Sequence, residues 1–299
     1  MRLLVTGREG QVATSLLEAG QRHADVDVIA IGRPELDLAK PETVIDAIAA
    51  GKPDIVVSAA AYTAVDQAED EPDQAFAVNA AGAGKVAQAA ARLGVPVIHL
   101  STDYVFDGTK RDAYLETDQT APRSVYGASK LAGEEAVAAA NPRHLILRTA
   151  WVYSPFGKNF VKTMLRLAAD RDEISVVADQ WGNPTSALDI ADAVLHAAAR
   201  LHGGRDFTAF GTYHLAGTGE TNWSGLARHV LAASQANDGP WARVRDIATQ
   251  DYPTKARRPA NSRLSSAKFT TRFGWTAPDW RNSTEQVVRR ILSKDAPEA

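Results

Sequence analysis

Residues 101–130 decide the fold of this chain. The stretch opens with Ser101-Thr-Asp-Tyr-Val-Phe-Asp-Gly108 and closes with Ser124-Val-Tyr-Gly-Ala-Ser-Lys130. An apolar run, Val95 to Leu100, precedes it and is typical of a buried strand. Thr102 is therefore predicted to lie at the carboxyl end of a strand, where open α/β sheets bind their ligands.

The second motif begins a segment, 124–140, whose Ala, Glu and Leu content predicts a helix. On such a helix Tyr126 and Lys130 lie on one face, about one turn apart. A nearby ammonium favours the phenolate and lowers the pKa of a phenol from its usual value of about 10, which suits a general acid or base. We therefore take Tyr126, Lys130 and Thr102 as candidate catalytic residues, with Thr102 holding a carbonyl oxygen. A Tyr-x-x-x-Lys match alone is a hypothesis that its context has to support.

A glycine turn follows the first predicted strand, Leu3 to Thr6. Its sequence is Gly7-Arg-Glu-Gly10-Gln-Val-Ala13, and an apolar-periodic helix continues to about Ala19. Strand, glycine turn and helix bring a cofactor diphosphate to free N–H groups at a helix amino terminus. The spacing departs from the common Gly-x-Gly-x-x-Gly, and a purely structural turn is the alternative.

The second predicted strand, Val26 to Ile31, ends at Gly32-Arg33. At this point an acid commonly binds the ribose 2′-OH of NAD, whereas a basic residue accommodates the 2′-phosphate of NADP. Arg33 at the strand tip, with no acid there, favours NADPH over NADH. The alternative is that Arg33 is a solvated loop charge.

The remaining pattern alternates strands and helices. Strands are predicted at 54–58, 144–148 and 174–177, and helices at 41–50, 72–93 and 186–201. This alternation predicts an α/β fold with a Rossmann-type, doubly wound parallel sheet. Residues 1–150 and 172–202 are assigned to a dinucleotide-binding domain.

Residues 151–171 and 203–299 are assigned to a smaller α/β substrate domain. Its predicted elements are a turn at Gly203-Gly204, a short strand at 213–216, helices at 222–236 and 282–292, and a loop rich in Pro and Arg at 252–264.

Composition narrows the function classes. The chain has 299 residues, 45% of them hydrophobic and 23% charged, with a formal charge of −3, as in an ordinary globular protein without the basic excess of a nucleic-acid binder. No Cys occurs, which removes disulfides, thiolate metal sites and thiol nucleophiles. The apolar run after Met1 is short for a signal sequence, and no apolar run is long enough to span a membrane. We expect a cytoplasmic protein without a membrane or nucleic-acid partner.

Together these motifs resemble the extended short-chain dehydrogenase/reductase family, and within it the dTDP-4-dehydrorhamnose reductases. The resemblance covers nearly the whole chain. Besides the motifs already quoted, it rests on Glu35-Leu-Asp-Leu38, Ala59-Ala-Ala-Tyr-Thr-Ala-Val-Asp66, Arg148-Thr-Ala-Trp-Val-Tyr153, Asp179-Gln-Trp-Gly-Asn-Pro-Thr185 and Arg258-Pro-Ala-Asn-Ser262. The glycine turn and the Tyr/Lys pair indicate only the broad family, whereas the 101–108 motif and the Arg258 loop are much narrower.

The resemblance implies a role for each of a larger set of residues. Thr102, Tyr126 and Lys130 would form the catalytic triad, with Lys130 also holding the nicotinamide ribose. Cofactor contacts would come from Gly7, Gly10, Gln11 and Val12 at the diphosphate, Asp37 and Leu38 at the adenine, and Ala61, Tyr62 and Thr63 along the cofactor. Substrate contacts would come from Asp103 and Trp151 at the sugar and from Asn159, Gln180 and Arg258 at the nucleotide diphosphate. Trp151 and Arg258 also suit these roles chemically, as a sugar-packing surface and a bidentate fork, although a core Trp and a solvated Arg are the alternatives.

The implied reaction is NADPH-dependent reduction of the C4 ketone of dTDP-4-dehydro-L-rhamnose, with Tyr126 as proton donor. Reduction of another dTDP-linked 4-keto-deoxysugar stays open. So does a nucleotide-sugar dehydratase or epimerase, although related dehydratases place Asp-Glu after the Thr and here Tyr104 follows Asp103. A third alternative is a non-enzymatic, dinucleotide-binding regulatory subunit.

One departure concerns metal. The family has been associated with Mg²⁺ bridging a dimer through carboxylates, one of them on the first helix. The matching position here is Ser15, with Glu18 almost one turn away. We therefore expect no metal site, regard Mg²⁺ as doubtful, and leave monomer and homodimer both open.

Overall fold

The computed structural model describes residues 1–203 and 207–293. The first part of the chain alternates strands and helices as the sequence predicts. Its elements are β1 (Arg2–Thr6), α1 (Gln11–Gly20), β2 (Asp27–Ile31), α2 (Pro41–Ala50), β3 (Ile55–Ser58), α3 (Val65–Ala68), α4 (Pro72–Phe76), a π-helical segment (Ala77–Gly82), α5 (Ala83–Arg92), β4 (Val97–Thr102), α6 (Val125–Ala140) and β5 (His144–Thr149).

The second part has shorter strands. Its elements are β6 (Val152–Tyr153), α7 (Phe160–Asp170), β7 (Glu173–Val177), β8 (Trp181–Gly182), β9 (Thr185–Ser186), α8 (Ala187–Gly203), β10 (Gly211–His214), β11 (Thr221–Asn222), α9 (Trp223–Gln235), β12 (Arg243–Ile247), α10 (Ala267–Phe273) and α11 (Trp280–Leu292). Short 3-10 turns, 103–105 and 249–251, follow β4 and β12.

Local sequence explains where several helices begin. Ser124 accepts a hydrogen bond from the backbone N–H of Gly127 at the start of α6, and Asn159 and Asn222 do the same for α7 and α9. Such side chains satisfy backbone donors that the first helical turn leaves free. Pro41 at the start of α2 has no N–H to lose.

A six-stranded sheet positions the site. Its strand order is β10-β5-β4-β3-β1-β2, and every pairing in it is parallel. The chain runs outward from β1 to β2 and then returns to place β3 on the other side of β1. That reversal is the switch point at which such sheets bind ligands beyond the carboxyl ends of their strands.

Helices cover both faces of this sheet. One face buries apolar side chains of α1 and α8 against the strands, and the other buries α2 and α5. α6 packs beside α5 and against β4. Apolar strand residues such as Leu3, Leu4, Val56 and Val57 are fully buried, as expected of a sheet covered on both sides. This arrangement confirms the predicted fold class.

A second apolar cluster holds the smaller substructure. It joins α7, α9 and α11 with Ile174 and Val176 of β7. β7 pairs in parallel with β12, while β8 pairs with β11 and β6 with β9. These small sheets lie outside the six-stranded one.

Three sequence predictions need correction. The helix predicted over 72–93 is two α-helices separated by the π-helical segment. The strand predicted at 174–177 pairs with β12 rather than with the main sheet, because α7 directs the chain into the second cluster first. The strand predicted at 213–216 spans 211–214 and completes the main sheet beside β5, although we assigned it to the substrate domain.

The division into two domains stays a prediction. Gly203 ends α8, and Gly204, the other half of the predicted turn, lies outside the described residues. Within the described part of the chain, no helix combines the length and apolar character needed to cross a bilayer.

Candidate active site

The glycine turn leaves an open cradle at the start of α1. Gly7 has φ +96°, a backbone conformation that side chains disfavour, and a Cβ there would lie 3.4 Å from Cβ of Ala60. Gly10 is the N-cap of α1 and has no side chain that could cap the first N–H groups. Nothing lies within 4 Å of the place where its Cβ would be. No side chain caps the first N–H groups of α1, and the space beside Gly10 is open, as a diphosphate site requires.

The tips of β1 and β3 are tied beneath this cradle. The hydroxyl of Thr6 accepts hydrogen bonds from the backbone N–H groups of Ala59 and Ala60, both at 3.0 Å. The small side chains that follow β3 thus lie beside Gly7. Ala61 and Tyr62 are half-buried along this edge and Thr63 is exposed.

Two arginines meet at the tip of β2. Arg33 is exposed, as a 2′-phosphate ligand would be. Arg8, which we did not single out from the sequence, donates to the carbonyl oxygen of Arg33 and pairs with Glu35 at 2.9 Å. A backbone hydrogen bond and Arg8 lower the pKa of Glu35. The acid nearest this strand tip is therefore already paired with a cation.

The other residues predicted to contact cofactor have defined places. Asp37 accepts from the N–H of Ala39, and Leu38 is buried against Gly82. Gln11, the first residue of α1, accepts hydrogen bonds from the Ser154 hydroxyl at 2.8 Å and the Asn159 amide at 3.0 Å. Val12 packs partly buried against the core.

Tyr126 and Thr102 lie together at the carboxyl end of β4. The protein packed around the phenol raises the pKa of Tyr126 well above its usual value; the nearby Thr102 hydroxyl opposes this rise, and Asp103 and Tyr104 add to it. Our expectation that Lys130 lowers this pKa is wrong for this arrangement, because the ammonium is directed to β4 instead. A phenol that keeps its proton can still donate it.

Lys130 is deeply buried, with 3% of its surface exposed. Its Nζ donates to the carbonyl oxygen of Leu100 at 2.6 Å and lies 3.4 Å from Nε2 of His99. Burial lowers the pKa of Lys130 to about 8, and Glu134, one turn along α6, opposes the fall. The ammonium is therefore held against β4 by polar groups on that strand.

Asp103 follows Thr102 directly and is 5% exposed. Burial raises its pKa to about 6, against the effect of the Ser262 and Thr102 hydroxyls. Thr102 donates to Oδ1 at 3.1 Å, whereas Oδ2 has no partner of good geometry among the residues described. One carboxylate oxygen is thus buried beside the catalytic Thr102, with the Ser262 hydroxyl close to the carboxyl group.

A buried ion pair supports the catalytic helix from behind. Glu134 on α6 receives two hydrogen bonds from Arg148 on β5, at 2.9 and 2.6 Å, and one from the Ser101 hydroxyl at 2.5 Å. Ser101 and Arg148 are register partners on neighbouring strands, which brings both side chains to the face covered by α6. The sequence offered one sign of this pair, a charged residue inside the apolar strand 144–148.

Asn79 joins the cofactor edge to the catalytic helix. It lies in the π-helical segment and is 1% exposed. Its amide exchanges two hydrogen bonds with the backbone of Tyr62 and donates to the hydroxyl of Ser129 at 2.9 Å. Ser129 in turn donates to the carbonyl oxygen of Tyr126. π-helical segments are frequent at functional sites, and this one turns a polar side chain inward.

Trp151 follows β5 in a strained conformation with φ +49°. Its ring stacks on that of Trp223 with centroids 3.6 Å apart. A Cβ on Gly182 would lie 2.5 Å from the Trp151 ring, so only glycine fits behind it. The indole is half-buried and held in one orientation.

Asn159 and Gln180 are already hydrogen-bonded within the protein. Asn159 caps α7 and donates to Gln11 and two backbone carbonyls. Gln180 is buried between the Thr249 hydroxyl and the Trp223 indole, at 3.0 and 3.1 Å. Their predicted contacts with a nucleotide diphosphate stay predictions.

Arg258 links the 252–264 loop to the catalytic side. It donates to the hydroxyl of Tyr104 at 3.0 Å and to Oδ2 of Asp66 at 2.5 Å. The Tyr104 ring packs edge-on against Tyr126, with centroids 5.5 Å apart. A single aromatic ring, that of Tyr104, therefore separates the guanidinium from the reacting phenol.

Ser15 and Glu18, at the position considered for a metal ligand, both have partners within the protein. Ser15 donates to the carbonyl oxygen of Gln11, and Glu18 forms a two-pronged pair with Arg290 of α11. Within 1–203 and 207–293 there is no group of three or more His, Cys, Asp or Glu placed to hold a metal ion. The doubt about Mg²⁺ stays a prediction.

Comparison with known proteins identifies the family. The family described as RmlD substrate binding domain matches residues 1–293. The chain belongs to this family. The resemblance drawn from the motifs is confirmed.

Relatives within the RmlD family match along the whole chain. A dTDP-4-dehydrorhamnose reductase from Sinorhizobium fredii is 53% identical over 298 residues, which are 99% of this chain and all of that protein. The crystal structure of a dTDP-4-dehydrorhamnose reductase from Clostridium acetobutylicum is 34% identical with a TM-score of 0.89, and the match covers 96% of this chain and 98% of that one. A Bacillus anthracis dTDP-4-dehydrorhamnose reductase, solved in complex with NADP, is 34% identical with a TM-score of 0.86 and the same coverage.

Proposed function

We propose that this chain reduces the C4 ketone of dTDP-4-dehydro-L-rhamnose to give dTDP-L-rhamnose, with NADPH as the reductant. One observation carries the proposal: Thr102, Tyr126 and Lys130 lie at the carboxyl end of β4, in a chain that matches dTDP-4-dehydrorhamnose reductases over its full length.

The residues present suit a nicotinamide dinucleotide. Gly7, Gly10 and the free N–H groups of α1 would hold the diphosphate, together with Gln11 and Val12. Arg33 and Arg8 would face a 2′-phosphate, which favours NADPH over NADH. Asp37 and Leu38 would flank the adenine, and residues 61–63 would line the cofactor. When bound, NADPH supplies the hydride for the sugar carbon.

The side chains of the protein handle the proton. As the C4 carbon is reduced, Tyr126 transfers its phenolic proton to the C4 oxygen. The Thr102 hydroxyl would turn from Oδ1 of Asp103 to donate a hydrogen bond to that oxygen. The raised pKa of Tyr126 keeps the proton in place until charge develops on the sugar. Lys130, one turn along α6, would hold the nicotinamide ribose. Solvent then restores the proton.

The proposed substrate contacts pair the sugar and the nucleotide diphosphate with side chains described above. Asp103, next to Thr102, would bind a sugar hydroxyl, and the Trp151 ring would offer an apolar surface to the sugar. Arg258, Asn159 and Gln180 would contact the nucleotide diphosphate. These roles are compatible with a monomer or a homodimer in the cytoplasm.

The dehydratase alternative has a specific observation against it. Elimination of water needs a second acid or base beside Asp103, and the next residue is Tyr104, whose hydroxyl is taken by Arg258. A regulatory subunit would need no buried Tyr/Lys pair. Neither alternative predicts a net loss of NADPH.

The test is a spectrophotometric assay. Purified protein is mixed with dTDP-4-keto-6-deoxy-L-lyxo-hexose and either NADPH or NADH, and absorbance is followed at 340 nm. We expect stoichiometric oxidation of NADPH, slower use of NADH, and dTDP-L-rhamnose as product. Conversion of the sugar without net oxidation would contradict the reductase and support a lyase or epimerase. Cofactor binding without conversion would support the regulatory subunit.

A further inference from the structure

His99 is a buried group behind the active site that the mechanism above does not use. It lies on β4, three residues before Thr102, and is 1% exposed. Residues on a strand alternate between faces, so His99 and Ser101 point to the same side, toward α6. On that side Lys130 Nζ lies 3.4 Å from Nε2 of His99.

The other ring nitrogen also has a partner. Nδ1 of His99 lies 3.1 Å from the hydroxyl of Ser58, and Ser58 is the register partner of His99 on β3. Ser58 is itself 1% exposed. The three side chains therefore form a buried row, Ser58–His99–Lys130, that crosses two strands and ends at the catalytic helix.

The chemistry of these groups fixes the direction of the hydrogen bonds. An ammonium can only donate, so Nε2 of His99 has to accept and Nδ1 has to carry the ring proton. Nδ1–H then donates to Ser58. Burial and the adjacent Lys130 lower the pKa of His99 far below its usual value, so the ring is neutral wherever the enzyme works.

We propose that His99, held by Ser58 as the neutral Nδ1–H tautomer, is a positioning residue that fixes the ammonium of Lys130. Nε2 of His99 and the carbonyl oxygen of Leu100 together accept two of the three Nζ protons, which leaves the third for the active site. The effect on turnover rests on the proposed function, whereas the tautomer and the contact do not.

Charges around Lys130 set its protonation. Glu134 and Tyr126 lie on its own helix, Arg148 on β5 pairs with Glu134, and Asp103 follows β4. Lys130 already titrates near 8, so loss of a neutral acceptor should move its pKa lower still. Activity should then fall off at a lower pH on the alkaline side.

The variants to compare are His99→Leu, which removes the acceptor, and His99→Gln, whose amide oxygen can replace it. His144→Gln is the matched control, because among the described residues the side chain of that half-buried histidine hydrogen-bonds to the carbonyl of Asn141 and not to the catalytic residues. For His99→Leu we expect kcat to fall about tenfold, the effect of one lost hydrogen bond to a charge, and the alkaline limb to move about one pH unit lower. His99→Gln should recover most of both, and His144→Gln should change neither.

A measurement on the unaltered protein keeps the proposal testable if His99→Leu does not fold. Long-range ¹H–¹⁵N NMR of the seven histidines should show a neutral Nδ1–H ring for His99 across pH 5–7, assigned by its loss in His99→Gln. His144 and His214, whose Nδ1 atoms face carbonyl oxygens, should give Nδ1–H signals that remain in that variant. An Nε2–H tautomer would overturn the proposal. So would a folded His99→Leu with an unshifted alkaline limb, since a purely structural role changes only stability. If the sugar assay fails while the Nδ1–H ring is found, the proposed function is wrong and the contact stands.

Discussion

Two ion pairs near the active site differ sharply in their surroundings. Glu134 and Arg148, behind the catalytic helix, have side chains 6% and 7% exposed and share a third hydrogen bond with Ser101. Lys255 and Asp70, which tie the 252–264 loop to the segment after α3, are 62% and 56% exposed. The first pair is part of the core, and the second is solvated.

The difference in exposure predicts different contributions of the two pairs to stability. A buried pair leaves an uncompensated charge when one partner is lost, so it holds α6 and its catalytic residues in one place. A solvated pair contributes little and exchanges partners easily. The Lys255–Asp70 pair can therefore be lost with little effect, whereas the Glu134–Arg148 pair cannot.

The largest expected effect is on the buried side. Tyr126→Phe removes the proton donor and should lower kcat by about 10²–10⁴-fold. Cofactor binding, measured by quenching of intrinsic fluorescence, should change little. A kcat near that of the unaltered protein would exclude Tyr126 as the donor.

Glu134→Ala should destabilise the fold strongly. It leaves Arg148 charged and buried, which costs about 3–5 kcal/mol of unfolding free energy in urea titrations. Glu135→Ala, at the exposed neighbouring position, should change it by about 0.5 kcal/mol or less. Equal losses in the two variants would contradict the distinction between core and surface.

Asp103→Asn should show the cost of a buried charge through pH. The folded-state pKa is about 6 and the unfolded value 3.8, so ionisation opposes folding above pH 6 and this cost vanishes as pH falls toward 4. The Asn variant should be more stable than the unaltered protein by about 1–3 kcal/mol at pH 8 and equal to it at pH 4. A pH-independent difference in melting temperature would contradict this.

Arg258→Ala tests whether the 252–264 loop binds the nucleotide diphosphate. We expect KM for the nucleotide sugar to rise about tenfold, with a smaller change in kcat, because a fork that binds the diphosphate is lost. Arg257→Ala removes the same charge from the exposed neighbour and should leave KM within about twofold. An unchanged KM in Arg258→Ala would place the diphosphate elsewhere.

Lys255→Ala should have the smallest effect. An exposed pair is worth about 0–1 kcal/mol, and that contribution should disappear at 1 M salt. Urea titrations at low and high salt measure it. A loss above 2 kcal/mol would mean that the loop is held as firmly as the core.

The sequence was sufficient where local patterns and the fold agree. The five strands from β1 to β5 and the helices α1, α2 and α6 have strong apolar runs or periodicity, and their bounds lie within a few residues of those predicted. α3 and the division of the 72–93 helix were not predicted. The candidate residues Thr102, Tyr126 and Lys130 could be placed because one strand tip and one helix carry all three.

Most of the features that the sequence did not predict depend on contacts between distant parts of the chain. β12 has only two apolar residues and packs on α9, so its sequence alone did not predict it. α7 was also not predicted, although its buried residues Val161, Met164, Leu165 and Ala168 are spaced as on one face of a helix. Arg8, His99 and Asn79 gain their roles from partners 25, 31 and 50 residues away, which no local pattern specifies. The expected lowering of the Tyr126 pKa failed for the same reason: helical spacing brought Lys130 near, but the carbonyl of Leu100 determined where its ammonium points.

The pair between Glu18 and Arg290 has a consequence for synthesis of the protein. It joins α1 to α11, whose paired residues are 272 positions apart. α1 therefore gains one of its contacts only after α11 has been synthesised. A nascent chain stalled before residue 280 should show faster amide exchange in α1 than the released protein, and equal exchange would mean that α1 matures alone.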